Sequence, residues 1–569
     1  MSAAVDPNQQ PAPRLPSFPE HLNLAQYFLY DRLDEGRGGR RAILFGDHTL
    51  TYDEIASRSR DVSTVFRDAG LAKGERVLII LRDLPAFAWT FFGTLTAGGV
   101  VAMGNPDAPV ESLSYLVHYT EAALVVAPPR VLAELLPLIE AAHVVRGGSL
   151  RRVFAVDEPE ITGEPFGAAD VDALPHATDL ATAMRELSPD RARFEARTHR
   201  DEPAIWLFTS GSTGHPKAAM HAHGDFAFNT EVFAKGTVGL VETDVSVSIP
   251  RLFFGYATGT NLMFPFAVGA AVGLYPERPT PESFLSAIAR YRPTVLTQVP
   301  TMMGKILDED DARRARGAAP VDLSCVRFSY SAGEALPEPL MLRWRERFAS
   351  DLYDGIGSAE MFHIYASNRP GDIRPGTLGR VVEGYTLRIL PEEADGPGGE
   401  EVARGEIGVL WVRGPSAAFG YYKDREKSFR TFMGPWCRTG DLFHLDRDGY
   451  LVFDGRADDL LKVSGIFVSP LEVESCLLEH EDVTLAAVIG ADDHGLVKPK
   501  AFVVVRPSAL PRLADEAGRS AFTAALQDHV KSRLSKHKYP RWIVFCDDLP
   551  KNDRGKVDRK LLKQREAER

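Results

Sequence analysis

The densest group of side chains able to bind a charged substrate lies at 209–217, directly after an apolar run at 205–208. It combines hydroxyls, glycines and one cation: Thr209, Ser210, Gly211, Ser212, Thr213, Gly214 and Lys217. Hydroxyl and backbone N–H donors beside a lysine are the groups that cradle a polyphosphate. The segment is not a Walker loop, because only two residues separate its glycines and no Gly-Lys-Ser/Thr ending follows. Composition alone therefore leaves phosphate binding and a plain flexible loop both open.

The segments around this loop alternate between apolar runs and helical patterns. Residues 77–81 predict a buried strand, 85–97 a helix and 100–102 a second strand, which together form a βαβ unit. Further buried strands are predicted at 122–127, 205–208 and 294–299. The charged stretch 306–320, punctuated by Gly and Pro, is expected to be a surface connection.

The pattern changes after Gly376 to shorter alternating strands, with Asp448-Gly449 placed as a hairpin turn. Beyond Gly455 an α/β pattern returns, with predicted helices at 471–479 and 522–534 and predicted strands at 485–489, 501–505 and 543–545. The fold class is therefore α/β, with a large body, a small β-rich region and a C-terminal α/β domain.

Composition excludes several classes of protein. The 569 residues carry 66 basic and 78 acidic side chains, a net charge of −12, which argues against a nucleic-acid partner. The four cysteines lie far apart without Cys-x-x-Cys spacing, which favours a reducing compartment. The longest apolar stretch, 262–275, has 14 residues and contains a proline, so it is too short to span a bilayer. We expect a cytoplasmic protein with neither a membrane span nor a signal peptide.

The segment 209–217 resembles the phosphate-loop signature of the acyl-adenylate-forming superfamily. Further segments resemble that superfamily in the same chain order: 331–337, 354–360, 439–442, 455–459 with 462–465, and 550–556. Within the superfamily the chain is most similar to the benzoate–CoA ligases, through 251–256, 354–364, 414–418 and 536–541. The resemblance extends over roughly residues 40–565.

This resemblance implies a fold and a reaction. The fold would be a large N-terminal domain of two α/β sheets and a distorted β-barrel, hinged to a smaller mobile C-terminal α/β domain. The expected boundaries are a flexible arm at 1–20, the adenylation domain at 21–457 and the C-terminal domain at 458–569. The reaction would join an aryl carboxylate to ATP as an acyl-adenylate, with Mg²⁺, and pass the acyl group to coenzyme A, releasing AMP and pyrophosphate.

The resemblance also implies residue roles. Lys556 would bridge the carboxylate and the α-phosphate, Glu360 would hold Mg²⁺ and Lys217 would neutralise the β,γ-phosphates. Besides the loop residues, the implied ATP-binding set is Gly333, Glu334, Ala335, Asp354, Ile356, Gly357, Ser358, Asp441 and Arg456. The implied aryl pocket is Phe254, Gly255, Tyr256, Gln298, Gly355, His363 and Ile364. The implied hinge is Asp458, and the implied coenzyme A tunnel involves Lys462, Ser464 and Gly465.

Three positions bear on substrate and activity. Ala359 stands where the family usually has threonine, and Gly255 stands where benzoate ligases typically have alanine. The missing methyl at Gly255 and the polar Gln298 favour a ring with a small polar substituent, such as 2-aminobenzoate or a hydroxybenzoate, with benzoate as runner-up.

Several alternatives to an aryl-CoA ligase remain compatible with the sequence. They are a medium- or long-chain fatty acyl-CoA ligase, an enzyme loading a carrier protein in trans, and an inactive regulatory homologue, the last motivated by Ala359. A serine hydrolase is excluded by the absence of a Gly-x-Ser-x-Gly elbow. Both a monomer and a homodimer are compatible with the sequence.

Overall fold

The computed structural model describes residues 15–146, 149–160, 163–188, 192–209, 215–456, 461–463, 466–493, 496–551 and 557–567. Two large sheets make up most of the body. The first has seven strands, parallel except for the last pair, in the spatial order Ala177–Asp179, Arg152–Ala155, Leu124–Ala127, Arg76–Ile79, Val100–Met103, Pro203–Thr209 and Lys217–Ala222. The buried strands predicted near 77, 100, 122 and 205 are therefore confirmed.

The second sheet has nine strands, of which the central six are parallel. Their order is Arg380–Val381, Ile364–Ser367, Asp351–Gly357, Phe328–Ser331, Val295–Gln298, Val245–Ser248, Ala271–Leu274, Arg41–Phe45 and His48–Thr51. The strands Val295–Gln298, Phe328–Ser331 and Asp351–Gly357 run side by side, so their carboxyl ends meet at one edge. Ligands of open α/β sheets bind at this kind of edge.

Helices cover and join these sheets. The α-helices are Asp31–Asp34, Tyr52–Asp68, Pro85–Thr96, Val110–Thr120, Pro129–Arg146, Leu180–Arg185, His223–Asn229, Gly255–Thr258, Phe264–Val268, Pro281–Tyr291, Pro300–Ala315, Glu338–Phe348, Arg425–Thr431, Pro470–Leu478, Glu516–Arg533 and Arg559–Ala567. Shorter π turns lie at Gln26–Tyr30, Thr230–Lys235 and Gly259–Met263, and 3₁₀ turns at Ala359–Met361 and Pro507–Leu513. Among the described residues, no helix is both long enough and apolar enough to cross a membrane.

The helix Pro85–Thr96 lies at the centre of the largest apolar core, and all of its residues are buried. It packs against Tyr52–Asp68 so closely that a Cβ on Gly93 would lie 2.6 Å from Val62 Cβ. A helix that is apolar on every face is expected only in such an interior position.

The β-rich region and the C-terminal unit also follow the predicted pattern. The region after Gly376 contains a five-stranded antiparallel sheet of Thr386–Leu390, Gly408–Arg413, Phe432–Met433, Trp436–Leu445 and Leu451–Arg456. The predicted hairpin joins the last two strands, and Gly449 supplies the positive φ of +81° that the turn requires. The C-terminal unit has a hairpin, Leu461–Val463 with Ile466–Val468, and a sheet of Val483–Asp493, Leu496–Val505 and Trp542–Phe545. The predicted α/β fold class is confirmed.

The prediction that 306–320 is a surface connection is wrong for most of its length. Residues 306–315 form the second half of the helix Pro300–Ala315, in which Ile306, Leu307 and Asp310 are buried. Ion pairs one turn apart, Glu309–Arg313 and Asp310–Arg314, stabilise this helix at N–O distances of 2.8 and 2.7 Å. The many charged side chains of this segment were interpreted as a solvated loop, although they are spaced as ion pairs on a helix.

Candidate active site

Three polar side chains, of which Gln298 and Asp354 were predicted site residues, form a row at the carboxyl edge of the second sheet. Gln298 pairs in register with Ser331, and Ser331 pairs with Asp354. All three are buried, and Asp354 Oδ1 and Gln298 Oε1 have no hydrogen-bond partner among the described residues. Burial raises the pKa of Asp354 well above its usual range. Buried polar atoms are nearly always paired in folded proteins, so unpaired atoms at this edge indicate a ligand site.

Glu360 lies just beyond this edge, in the short turn Ala359–Met361. Tyr421 donates a hydrogen bond from its hydroxyl to Glu360 Oε1 at 2.7 Å. The ammonium of Lys217 lies over the Tyr421 ring, 3.6 Å from its centroid. Burial lowers the pKa of Lys217 to about 8; the charge of Glu360 opposes this shift and that of Lys427 adds to it. The predicted phosphate-binding lysine and the predicted metal carboxylate therefore share one tyrosine.

The backbone around Glu360 is anchored from outside the turn. Ala418 donates its N–H to Glu360 O, and Ser416 donates its hydroxyl to Met361 O, both at 2.9 Å. Phe362 then takes φ +67° and ψ −59°, and His363 N–H bonds to Met361 O at 2.9 Å, which closes a γ-turn. Such a conformation costs about 1–3 kcal/mol in a non-glycine residue and persists only where the surroundings impose it.

His363 lies in an aromatic enclosure. Its ring packs near Phe264, Tyr256 and Phe233, at centroid distances of 4.7, 5.6 and 5.7 Å. Its Nε2 donates to Tyr256 O at 3.0 Å, because a carbonyl oxygen can only accept. Nδ1 is then an acceptor, and it is buried without a partner among the described residues. Burial lowers the pKa of His363 to about 4, so the ring is neutral at physiological pH.

Two other predicted aryl-pocket residues lie close in the chain to residues that contact this histidine or to the histidine itself. Phe254 immediately precedes the helix Gly255–Thr258, and Ile364 begins the strand after His363. The neighbouring Gly259 could not carry a side chain, since a Cβ there would lie 2.5 Å from His363 Cδ2. Backbone crowds Gly355 and Gly357 in the same way: an added Cβ would meet Ala366 O at 2.8 Å or His363 O at 2.5 Å.

One sequence argument about ring space needs correction. A Cβ on Gly255 would lie 3.2 Å from both terminal methyl carbons of Leu207, so Leu207 already fills the space that the missing methyl was expected to leave. The Gln298 side chain donates from its Nε2 to Ser329 Oγ at 3.0 Å. Its buried Oε1 has no hydrogen-bond partner among the described residues.

The residues with implied ATP contacts occupy adjoining segments. Asp441 and Arg456 face each other across neighbouring strands, with 3.2 Å between Arg456 Nε and Asp441 Oδ1. Gly333 has φ +89°, and Ala335 follows in the same loop. Glu334 accepts two hydrogen bonds from Thr301, one from the backbone N–H at 3.1 Å and one from the side-chain hydroxyl at 2.7 Å. Ile356 lies partly buried in strand Asp351–Gly357, and Ser358 Oγ is buried without a partner among the described residues.

Several predicted site residues lie outside the part of the chain that the structure describes. They are Ser210, Gly211, Ser212, Thr213, Gly214, Asp458, Ser464, Gly465 and Lys556. Thr209 ends the strand that leads into the predicted phosphate loop, and Lys462 is described only as part of a strand.

Sequence reasoning missed Tyr421 and Lys427, which meet Glu360 and Lys217 from a different part of the chain. Both belong to the segment 420–428, where Asp424 caps the helix Arg425–Thr431. A Tyr-Tyr pair and a capped helix carry no chemical signal by themselves, so only the long-range contacts reveal their position.

Comparison with known proteins assigns the chain to a family. The profile described as AMP-binding enzyme matches residues 31–422, and the profile of the AMP-binding enzyme C-terminal domain matches residues 472–556. The chain belongs to the AMP-binding enzymes. The resemblance inferred from the motifs is thereby confirmed.

Individual relatives narrow the assignment. The benzoate–CoA ligase of Thauera aromatica is 40% identical over 566 residues, which span 99% of each chain. The 4-hydroxybenzoate–CoA/benzoate–CoA ligase of Rhodopseudomonas palustris is 37% identical over 544 residues, covering 95% of this chain and 94% of that one. The crystal structure of anthranilate CoA ligase AuaEII in complex with anthranoyl-AMP gives a TM-score of 0.84 at 33% identity, covering 96% of this chain and 98% of that one. Within its family the chain is an AMP-forming acid–thiol ligase of the benzoate–CoA ligase type.

Proposed function

We propose that the carboxylate substrate is benzoate or a benzoate with a small amino or hydroxyl substituent. One observation carries this proposal: His363 follows Glu360 by three residues and lies among the rings of Phe233, Tyr256 and Phe264. An aromatic wall next to a cluster of phosphate-binding charges favours a flat ring attached directly to the reacting carboxylate. A flexible fatty acid would gain less from edge-to-face contacts.

The preference for a polar substituent is supported by two unpaired acceptors, His363 Nδ1 and Gln298 Oε1. A ring amino or hydroxyl group could donate to either atom, and burying such an acceptor without a donor is costly. The relatives' names include benzoate, 4-hydroxybenzoate and anthranilate, which agrees with this range of substrates.

ATP would lie along the carboxyl edge of the second sheet. The adenine amino group could donate to Asp354 Oδ1, and the ribose hydroxyls could bond Asp441, which Arg456 orients. Lys217 would contact the β,γ-phosphates, with Lys427 as a second cation nearby. Because a carboxylate and an α-phosphate repel each other, positive charge and positioning supply most of the rate enhancement.

The donor chemistry at Glu360 fits Mg²⁺, which takes one or two carboxylates together with phosphate oxygens and waters. Tyr421 holds one carboxylate oxygen, so the direction of the other is fixed. Bound there, the ion would neutralise phosphate charge. Lys556 and the 462–465 segment would serve adenylation and thioester formation respectively, as the family resemblance implies.

We further propose coenzyme A as the acceptor thiol, a cytoplasmic location, and a monomer or homodimer. Support for the acceptor comes from the three relatives described above, which are named as CoA ligases. Loading of a carrier protein in trans would give acyl-adenylate formation without thioester formation on free coenzyme A.

A substrate panel tests the proposal. Pyrophosphate release should be measured with benzoate, 2-aminobenzoate, the hydroxybenzoates, cinnamate and octanoate, with and without coenzyme A. We expect an aryl-CoA product and a kcat/KM for at least one benzoate about tenfold or more above that for octanoate. His363→Phe keeps a ring but removes the acceptor, so it should reduce kcat/KM for the substituted acids more than for benzoate. If octanoate exceeded every aryl acid by tenfold, the aryl assignment would be wrong.

A further inference from the structure

The turn that carries Glu360 is also contacted from behind by a buried histidine. His221 lies in the strand Lys217–Ala222 and is completely buried. Its Nε2 is 2.6 Å from Ala359 O, and its Nδ1 is 2.9 Å from Asp225 Oδ2. Asp225 Oδ2 also accepts the Ala222 N–H at 3.0 Å. Both ring nitrogens therefore have fixed partners.

The direction of one of these hydrogen bonds is certain from chemistry alone. A carbonyl oxygen has no proton to give, so His221 Nε2 must donate to Ala359 O. Asp225 holds the other side of the ring and so fixes its orientation. A metal-binding residue is commonly oriented by partners of this kind, which do not touch the metal.

The strand that carries His221 also carries Lys217. Side chains four residues apart in a strand point to the same face, so Lys217 and His221 both face the side on which the Glu360 turn lies. Lys217 reaches Tyr421, which bonds the Glu360 carboxylate, and His221 reaches the peptide before Glu360. One strand thus contacts the backbone of the turn directly and reaches the Glu360 carboxylate through Tyr421.

We propose that His221, oriented by Asp225, is a positioning residue that sets the direction of the Glu360 carboxylate. The inference rests on the proposed role of Glu360 as the magnesium carboxylate. Ala418 and Ser416 hold the carbonyls of Glu360 and Met361, and His221 holds the remaining carbonyl of the turn, that of Ala359. Alanine at 359 has no side-chain hydroxyl to anchor itself, so the backbone contact carries the positioning at this residue.

Four single variants test the proposal: His221→Ala, His221→Gln, Asp225→Asn and His223→Gln. The glutamine amide can still donate to Ala359 O, so His221→Gln is the conservative rescue. His223 is the matched control, because it is a buried histidine two residues away whose Nδ1 accepts the Leu24 N–H at 3.2 Å. Thermal unfolding of each variant reports any general loss of packing.

The primary readout is binding of Mn²⁺ with a non-hydrolysable ATP analogue, followed by the electron paramagnetic resonance of Mn²⁺. This readout needs no carboxylate substrate, so it remains valid even if the proposed aryl substrate is wrong. The second readout is the Mg²⁺ concentration that half-saturates ATP–pyrophosphate exchange, together with the KM of the carboxylate.

We expect His221→Ala to weaken Mn²⁺ binding about tenfold, in the range typical for groups that orient a metal ligand. His221→Gln should recover most of this loss, Asp225→Asn should be intermediate, and His223→Gln should match the wild type. The carboxylate KM should not change. If His221→Ala does not fold, Mn²⁺ binding by the Asp225→Asn and His221→Gln variants tests the proposal in its place. Wild-type Mn²⁺ affinity in His221→Ala or in Asp225→Asn, or a loss in His223→Gln as large as the loss in His221→Ala, would overturn the proposal.

Discussion

Lys217 is the residue in which burial and function are most directly connected. A half-buried ammonium near a second lysine loses its proton more easily than a solvated one, and here the pKa of Lys217 falls to about 8. If Lys217 contacts the β,γ-phosphates as proposed, its charge is needed only once a polyphosphate arrives, and the phosphates would then restore the protonated form.

This arrangement predicts a pH dependence of ATP use. The pKa is lowered, so the free enzyme has the ammonium below about pH 8 and loses it as the pH rises through that value. The kcat/KM for ATP, which reports the free enzyme, should therefore fall above pH 8. Lys217→Arg, with a guanidinium that stays protonated, should have lower activity but a flat profile from pH 7 to about 10. A declining limb retained in the arginine variant would assign it to another group.

Gly255 gives a second prediction at the scale of the residue. In Gly255→Ala the new methyl would press on Leu207, and overpacking of this kind costs about 1–3 kcal/mol. Leu207→Val removes the terminal carbons that the new methyl would meet. The double variant should therefore lose less free energy of unfolding than the two single variants lose in sum. Urea unfolding of the four proteins measures this coupling. If the two changes in the free energy of unfolding were strictly additive, contact with Leu207 would not be the reason that a side chain at position 255 is destabilising.

At the scale of the element, the helix Pro300–Ala315 shows how the body is held together beneath the site. Asp310 is buried and bonds Arg314 at 2.7 Å, Arg347 of the helix Glu338–Phe348, and Val321 N–H at 2.7 Å. Burial raises the pKa of Asp310, but these hydrogen bonds outweigh it and the net pKa is lowered.

The sign of this shift predicts acid sensitivity. A lowered folded pKa contributes stability above the unfolded value of about 3.9, and that contribution is lost as the pH falls through the folded pKa. Asp310→Asn should reduce the free energy of unfolding by about 2 kcal/mol at pH 7, since it removes hydrogen bonds to a charged group. Urea unfolding at pH 7 and pH 3 checks this: the difference between wild type and variant should narrow at pH 3. A constant difference would contradict the account.

The elements of the fold differ in how far their sequences revealed them. The βαβ unit around Pro85–Thr96 was predictable because buried parallel strands and a buried helix leave continuous apolar runs. The second half of the helix Pro300–Ala315 was missed because its charged sequence is also typical of a solvated loop. In the candidate site, the motifs predicted that Asp441 and Arg456 act together, and the two do face each other across neighbouring strands. His221 and Tyr421, in contrast, reach Ala359 and Glu360 across 138 and 61 residues. Pairings of this length depend on tertiary packing, which local patterns do not encode.

At the scale of the whole molecule, the C-terminal unit contacts the body through the helix Pro470–Leu478, which packs against the strand Leu451–Arg456, and through polar side chains. Arg506 Nη1 lies 3.4 Å from Asp308 Oδ1, and Ser469 donates its hydroxyl to Asp454 O at 2.5 Å. Interfaces between domains of one chain are commonly weak, so polar contacts of this kind are compatible with the domain movement that the family resemblance implies.

If the C-terminal unit alternates between two tasks, the roles of its two motif segments, 462–465 and 550–556, should be separable by mutation. Lys556→Ala should abolish carboxylate-dependent ATP–pyrophosphate exchange yet still convert supplied aryl-adenylate to the thioester, because only adenylation needs that cation. Gly465→Leu should do the reverse, since a side chain there would block the thiol. Equal loss of both half-reactions in both variants would contradict the alternation of the C-terminal unit between two tasks.

The central claim is that this chain activates an aryl carboxylate as an adenylate before any thiol is involved. The most direct measurement is exchange of labelled pyrophosphate into ATP by the wild-type protein in the absence of coenzyme A, with benzoate, 2-aminobenzoate and the hydroxybenzoates each tested as the aryl acid. The account predicts exchange that requires the aryl acid and exceeds octanoate-dependent exchange about tenfold. Exchange that is absent without coenzyme A, or that proceeds without any aryl acid, would contradict it.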